Sequence, residues 1–197
     1  MNKDEVLREF EAAEAILRGH FVLSTGLRSD TYLQCARVLM DARRGERLCA
    51  ALAAKVRQLV QSPVDIVLSP AMGGVVVGYE MGRQLGVSAV FCERVGGKFE
   101  LRRGFHIETG QRVLMVEDVV TTGKSSMEAV ECARAMGATV VGEACLVDRS
   151  NGKHGLTFPL AALMTLEVPT YAPDKLPAHL KDIPAVKPGS RWLKTAE

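Results

Sequence analysis

The sequence has no apolar run long enough to cross a bilayer, which takes about 18 residues, and its opening segment carries Asp4, Glu5, Glu9, Glu11 and Glu14. Neither a membrane span nor a secretory leader fits that start. Charge of one sign is also missing. The 25 Lys and Arg against 23 Asp and Glu leave a formal charge of +2, so no general nucleic-acid-binding or polyanion-binding surface is expected. The five cysteines (Cys35, Cys49, Cys92, Cys132, Cys145) are odd in number, far apart and set among apolar neighbours. They read as reduced core residues of a cytosolic protein rather than as a disulfide framework. The four histidines share no metal-ligand spacing with each other or with the cysteines, which argues against a structural zinc. What remains is 197 residues, 47% hydrophobic and 24% charged, enough for one soluble domain with a full core.

The most informative stretch runs from Val113 to Ser126. Val113 to Val116 is a short apolar run that suits a parallel strand buried on both faces. Glu117 and Asp118 follow, then Val119, Val120 and the small-residue turn Thr121-Thr122-Gly123-Lys124-Ser125. Gly123 permits positive φ and close approach, while the hydroxyls add donors, so the turn can converge on an anion. Ser125 followed by Glu128 has the pattern of a capping box and predicts a helix starting there. A helix start beneath a ring of amides is a phosphate site. The Walker pattern fails because Asp118 stands where its first glycine belongs, and the dinucleotide fingerprint fails because only Gly123 is present. Carboxylates just before such a turn suit the hydroxyls of a ribose 5-phosphate.

Elsewhere the chain alternates strands and helices, which predicts an α/β fold with a mainly parallel central sheet flanked by helices. Val6, Phe10, Ala13 and Leu17 predict an amphipathic helix over residues 3–18, stopped at Gly19. His20 to Gln34 reads as a hairpin-like unit around Thr25-Gly26. Leu48, Leu52, Val56 and Leu59 mark a helix from Arg43 to Val60 that starts after Asp41. Val64 to Ser69 is a strand, followed by a Gly73-Gly74 loop and a helix over 75–85. Ser88 to Cys92 is a strand that opens into a glycine-punctuated loop, 93–105, with four basic residues. A helix over 126–136 and strands over 139–147 and 160–168 complete the pattern. At the end of the 139–147 strand, Arg149 can hold a planar carboxylate bidentately. An Asp148–Arg149 surface pair reads equally well.

The Val113–Ser126 stretch resembles the phosphoribosyl diphosphate (PRPP) motif of the type I phosphoribosyltransferases. The similarity runs from about Gly19 to Arg191 and is nearest to the orotate phosphoribosyltransferases of pyrimidine synthesis. It implies a single domain, 1–197. A small hood would be built from about 1–40 plus the tail ending Lys187-Pro188-Gly189-Ser190-Arg191, over a core of about 41–168. It implies transfer of the 5-phosphoribosyl group from PRPP to orotate, giving orotidine 5′-monophosphate and pyrophosphate. Lys98 and Asp118 would be the catalytic residues. Arg94, Lys98, Glu117, Asp118, Val119, Val120, Thr121, Thr122, Gly123, Lys124 and Ser125 would bind PRPP, with Ser69 to Gly74 lying against its pyrophosphate. Thr121 and Arg149 would bind orotate. Mg²⁺ would be held through PRPP rather than by protein ligands. The 93–105 loop would be a lid reaching into the neighbouring subunit of a cytoplasmic homodimer.

The chain departs from that family where lysines are common, with Val95 in the lid, Gly73 in the pyrophosphate loop and Ser24 in the hood. Compensation by Arg28, Arg102 and Arg103 is expected. Two other readings share the motif: a transferase for another base, and a PRPP-sensing regulator. The regulator needs a nucleic-acid-binding element and a basic face, and the +2 charge gives neither support.

Overall fold

A computed structural model describes residues 1–23 and 25–188. Ser24 and the Gly189-Ser190-Arg191 end of the tail lie outside the described residues. Helix α1 (Lys3–Ala12) opens with a capping box in which Asn2 Oδ1 accepts the Glu5 N–H at 2.9 Å and Glu5 Oε2 accepts the Asn2 N–H at 2.8 Å. It is shorter than the expected 3–18. Glu14 takes φ 49° and the chain enters strand β1 (Ile16–Val22), antiparallel to β2 (Arg28–Leu33). Leu17 keeps the helical spacing but pairs with Tyr32, so ladder hydrogen bonds outweigh local periodicity there. The expected hairpin is present. Two later segments join this small sheet, through the bridges Phe21–Val186 and Arg28–Tyr171.

Helix α2 (Cys35–Leu39) leads to α3 (Ala42–Leu59), which Asp41 caps by accepting the N–H groups of Arg43 and Arg44 at 3.0 and 3.1 Å. The remainder is β3 (Ile66–Pro70), α4 (Gly73–Leu85), β4 (Ser88–Val95), β5 (Lys98–Leu101), β6 (Arg112–Val120), α5 (Lys124–Ala135), β7 (Thr139–Asp148), β8 (Leu160–Thr165) and α6 (Ala178–Lys181). The main sheet has the order β5-β4-β3-β6-β7-β8, parallel except for β5. One face packs on α1 to α4 through Phe10, Leu48, Leu52, Val77 and Met81. The other packs on α5 through Met115, Ala129, Val130 and Ala133.

Two details of this packing set the site. The helices after β3 and β6 leave toward opposite faces while the two strands lie side by side. Their carboxyl ends therefore open a crevice at the point where the strand order reverses. Helix α4 is seated unusually close to the sheet by Gly74, Gly78 and Gly82, since a Cβ on Gly78 would stand 2.8 Å from Ser69 Cβ. That pulls the 70–73 loop toward the end of β6.

Candidate active site

The turn after β6 is the floor of the crevice. Gly123 has φ 74° and is the N-cap of α5, with no side-chain cap hydrogen bond. The Ser125–Glu128 capping box is therefore not formed. The positive φ starts the helix at Lys124, two residues earlier than a Ser125 cap requires, and Glu128 instead pairs with Arg94. The first-turn amides have no intrahelical acceptors, and the Lys124 N–H has only Thr122 Oγ1 at a long 3.4 Å. A cavity of about 60 Å³ lies beside them, lined by Glu117 and by the residues from Val119 to Ser126. The following loop braces this turn: Gly155 N–H donates to Thr122 O at 3.2 Å, and Leu156 lies within 3.0 Å of where a Gly123 Cβ would be.

Glu117 and Asp118 stand at the rim. Burial, then the charges of Asp118 and Glu143, push Glu117 up to about 9. That favours its protonated form at neutral pH. Burial also raises Asp118, whose Oδ1 accepts the Val119 N–H at 2.9 Å. Val119 and Val120 are the last residues of β6, paired with Val147 and Asp148. Thr121, Thr122, Lys124 and Ser125 are exposed around the cradle.

A second cavity of about 680 Å³ extends from Thr121 and Thr122 to the small sheet, lined by Leu23, Leu27, Tyr32, Arg149 and Lys153 among others. Asp148 does not pair with Arg149. Its Oδ1 accepts the Ser150 N–H at 2.7 Å, and Arg149 is left half-buried with Nε unpartnered among the described residues. Burial lowers the Arg149 pKa, yet a guanidinium stays charged from so high a starting value. Thr121 and Arg149 thus meet in one pocket. Lys153 and Tyr32 join them without a motif in the sequence, because a long-range fold contact brings them there.

The 93–105 segment, expected as a loop, is largely a hairpin. Strand β4 continues to Val95, turns through Gly96 and Gly97 at φ 55° and 90°, and returns as β5. Positive φ at both central residues is what a two-residue hairpin turn needs. Arg94 pairs with Phe99 and Lys98 with Val95, so Arg94 and Lys98 project from opposite faces of the ribbon. Arg94 lies 4.2 Å above the Phe99 ring, donates to Gly97 O at 2.7 Å and pairs with Glu128. Lys98 is exposed. Arg103 pairs with Glu93 at 2.8 Å.

This arrangement has close counterparts. A family model described as a phosphoribosyl transferase domain matches residues 38–155. The orotate phosphoribosyltransferase of Sphingopyxis alaskensis is 58% identical over 97% of this chain and 98% of that protein. The enzyme of the same name from Rhizorhabdus wittichii is 56% identical over 97% of both. A crystal structure of orotate phosphoribosyltransferase from Aeropyrum pernix aligns with a TM-score of 0.66 at 28% identity, over 81% of this chain and 93% of that one. With a crevice at the strand-order reversal, an amide cradle and this identity over nearly its whole length, the chain belongs to the orotate phosphoribosyltransferases, within the phosphoribosyl transferase family.

Proposed function

We propose that the protein transfers the 5-phosphoribosyl group of PRPP to N1 of orotate, forming orotidine 5′-monophosphate and pyrophosphate for pyrimidine synthesis. The observation that carries this reading is the Arg149 guanidinium, its Nε unpartnered among the described residues, in the same cavity as Thr121 of the amide cradle. A planar carboxylate is the natural ligand for such a fork, and orotate has one where uracil and the purines have none.

The amides and hydroxyls from Thr121 to Ser125 hold the 5′-phosphate, and Glu117 and Asp118 face the ribose hydroxyls. A protonated Glu117 can donate as well as accept. Displacement at the anomeric carbon proceeds with oxocarbenium character, so the protein must align nucleophile and sugar and stabilise charge on the departing pyrophosphate. Lys98 and Arg94 approach that charge when the ribbon moves, and Arg94 must first leave Glu128. The donor set at the rim is two adjacent carboxyls, both shifted toward their neutral forms. That suits Mg²⁺ held mainly by PRPP oxygens and water, where the ion neutralises pyrophosphate charge.

A homodimer with a shared lid fits the exposed apolar stripe Met72, Val76 and Tyr79, which are 84, 53 and 71% exposed beside the pyrophosphate loop. Five free cysteines, four of them buried, suit a reducing cytoplasm. The hood is the β1–β2 sheet with its bridges to Tyr171 and Val186.

The test is to mix protein, PRPP, Mg²⁺ and orotate and follow the fall in orotate ultraviolet absorbance. Loss of orotate that requires both PRPP and Mg²⁺ supports the reading. PRPP binding without orotate consumption, followed by turnover of another base from a panel, overturns it.

A further inference from the structure

Glu143 is an acid that the reaction outlined above leaves unused. It stands in β7 between Met115 of β6 and Leu160 of β8 and is fully buried. Its Oε1 lies 2.6 Å from Ser126 Oγ, while Oε2 has no partner among the described residues. An acid held this way is costly to keep charged, so its presence inside an otherwise apolar strand asks for a role. Ser126 is the third residue of α5 and lines the 60 Å³ cavity of the amide cradle. Ser126 therefore links the buried carboxyl to the cradle.

A hydroxyl owns one hydrogen. If Glu143 is ionised, that hydrogen is committed downward to Oε1. If Glu143 is protonated, the acid can donate to Ser126 Oγ instead, and the Ser126 hydrogen is free to turn into the cradle. We propose that Glu143 is a positioning residue acting through Ser126, its protonated carboxyl directing the Ser126 hydroxyl toward the anion bound by Thr121 to Ser125. The proposal rests on the reading of that turn as the 5′-phosphate site. Binding then draws one proton from solvent onto Glu143 whenever the acid starts out ionised. The other titratable groups facing it are Glu117 from β6 and Cys145 from its own strand, while α5 presents Ser126 and β8 presents Leu160. Both neighbours are held neutral where Glu143 titrates, so neither adds charge repulsion to it. Burial sets the titration of Glu143 at about 7, with the Ser126 bond opposing the rise. The bound anion adds to the bias for the neutral form.

The sign follows directly. The competent form is the protonated one, so anion affinity is full below about pH 7 and declines above it. Sulfate is the probe, because it stays a dianion throughout this range and contributes no titration of its own. Calorimetric titration of the full chain should show sulfate affinity falling about tenfold between about pH 6 and pH 8. E143Q presents a permanent amide donor to Ser126 Oγ, so its affinity should be flat with pH and near the wild-type value at the acid end. S126A should bind weakly at both ends and lose the slope, which keeps the proposal decidable if E143Q folds poorly. An E143Q slope equal to wild type assigns the titration to Glu117 or Asp118 and overturns the proposal, as does S126A with unchanged affinity and slope. Ribose 5-phosphate with G123V is the control for the site itself. Affinity unaffected by G123V sinks the cradle reading, whatever Glu143 does.

Discussion

A Cβ placed on Gly73 would stand 2.8 Å from Asp118 Oδ1 and 2.9 Å from Oδ2. The Gly73 backbone therefore lies directly against the Asp118 carboxylate. A side chain at Gly73 fits only if the Asp118 carboxylate or the loop gives way. G73A and G73K should both push the loop off Asp118, a clash worth about 1–3 kcal/mol, and raise the PRPP dissociation constant about tenfold. A calorimetric titration checks it. Tighter PRPP binding by G73K would show that the loop has room and that the contact is incidental.

Lys98 is exposed at the start of β5, on the opposite face of the ribbon from Arg94. In the proposed mechanism its charge acts on the departing pyrophosphate rather than in ground-state binding. K98A should lower kcat by about 100-fold while changing the PRPP dissociation constant little. Unchanged turnover would remove Lys98 from the mechanism.

Arg149 is half-buried with Nε unpartnered among the described residues. R149K keeps the charge and loses the fork, so it should raise the orotate KM at least about tenfold and leave the PRPP KM near wild type. Equal losses for both substrates would point to a general structural role instead.

Glu117 gives a stability prediction with a definite sign. Its folded-state pKa, about 9, lies above the ordinary 4.5. The folded state thus holds more protons than the unfolded chain across that window, and stability falls as pH rises through it. E117Q carries no such penalty. It should melt above wild type at pH 8 by roughly 4–8 °C, on the order of 2 kcal/mol, with the gap closing as the pH falls toward the ordinary carboxylate range. A gap that widens on acidification would reverse the assignment.

The crossover units were legible because their apolar runs are short and end at glycine-bearing turns, as at Val113 to Gly123 and Val64 to Gly74. Three features were not. The end of α1 is hidden because Ala13 and Leu17 extend a helical spacing that the β1–β2 ladder overrides. The cap of α5 is hidden because two starts fit the local sequence, and Gly123 φ 74° selects the earlier one. The lid looked like a loop because charged residues obscure the alternation on either side of Gly96-Gly97, although that dipeptide is itself a hairpin signal. At the site, the cradle was readable as a continuous motif. Tyr32 and Lys153 reach the same cavity only through tertiary folding.

Whether the ribbon acts across a subunit boundary can be tested by mixing two variants. If the ribbon acts in trans, each site combines one subunit's Arg149 with the partner's Lys98. K98A and R149A homodimers are then both impaired, but a mixed dimer holds one intact site, made from the K98A subunit's core and the R149A subunit's lid. Its other site carries both defects. Random exchange gives half mixed dimers, so about a quarter of all sites should recover full turnover. A lid acting in cis leaves every site in the mixture with one defect, and activity stays at the average of the parents. V76E and Y79E bear on the same point, because they place charge on the exposed stripe of α4. In the trans arrangement they should lower sedimentation mass and turnover together, with turnover returning as protein concentration drives the subunits back into pairs.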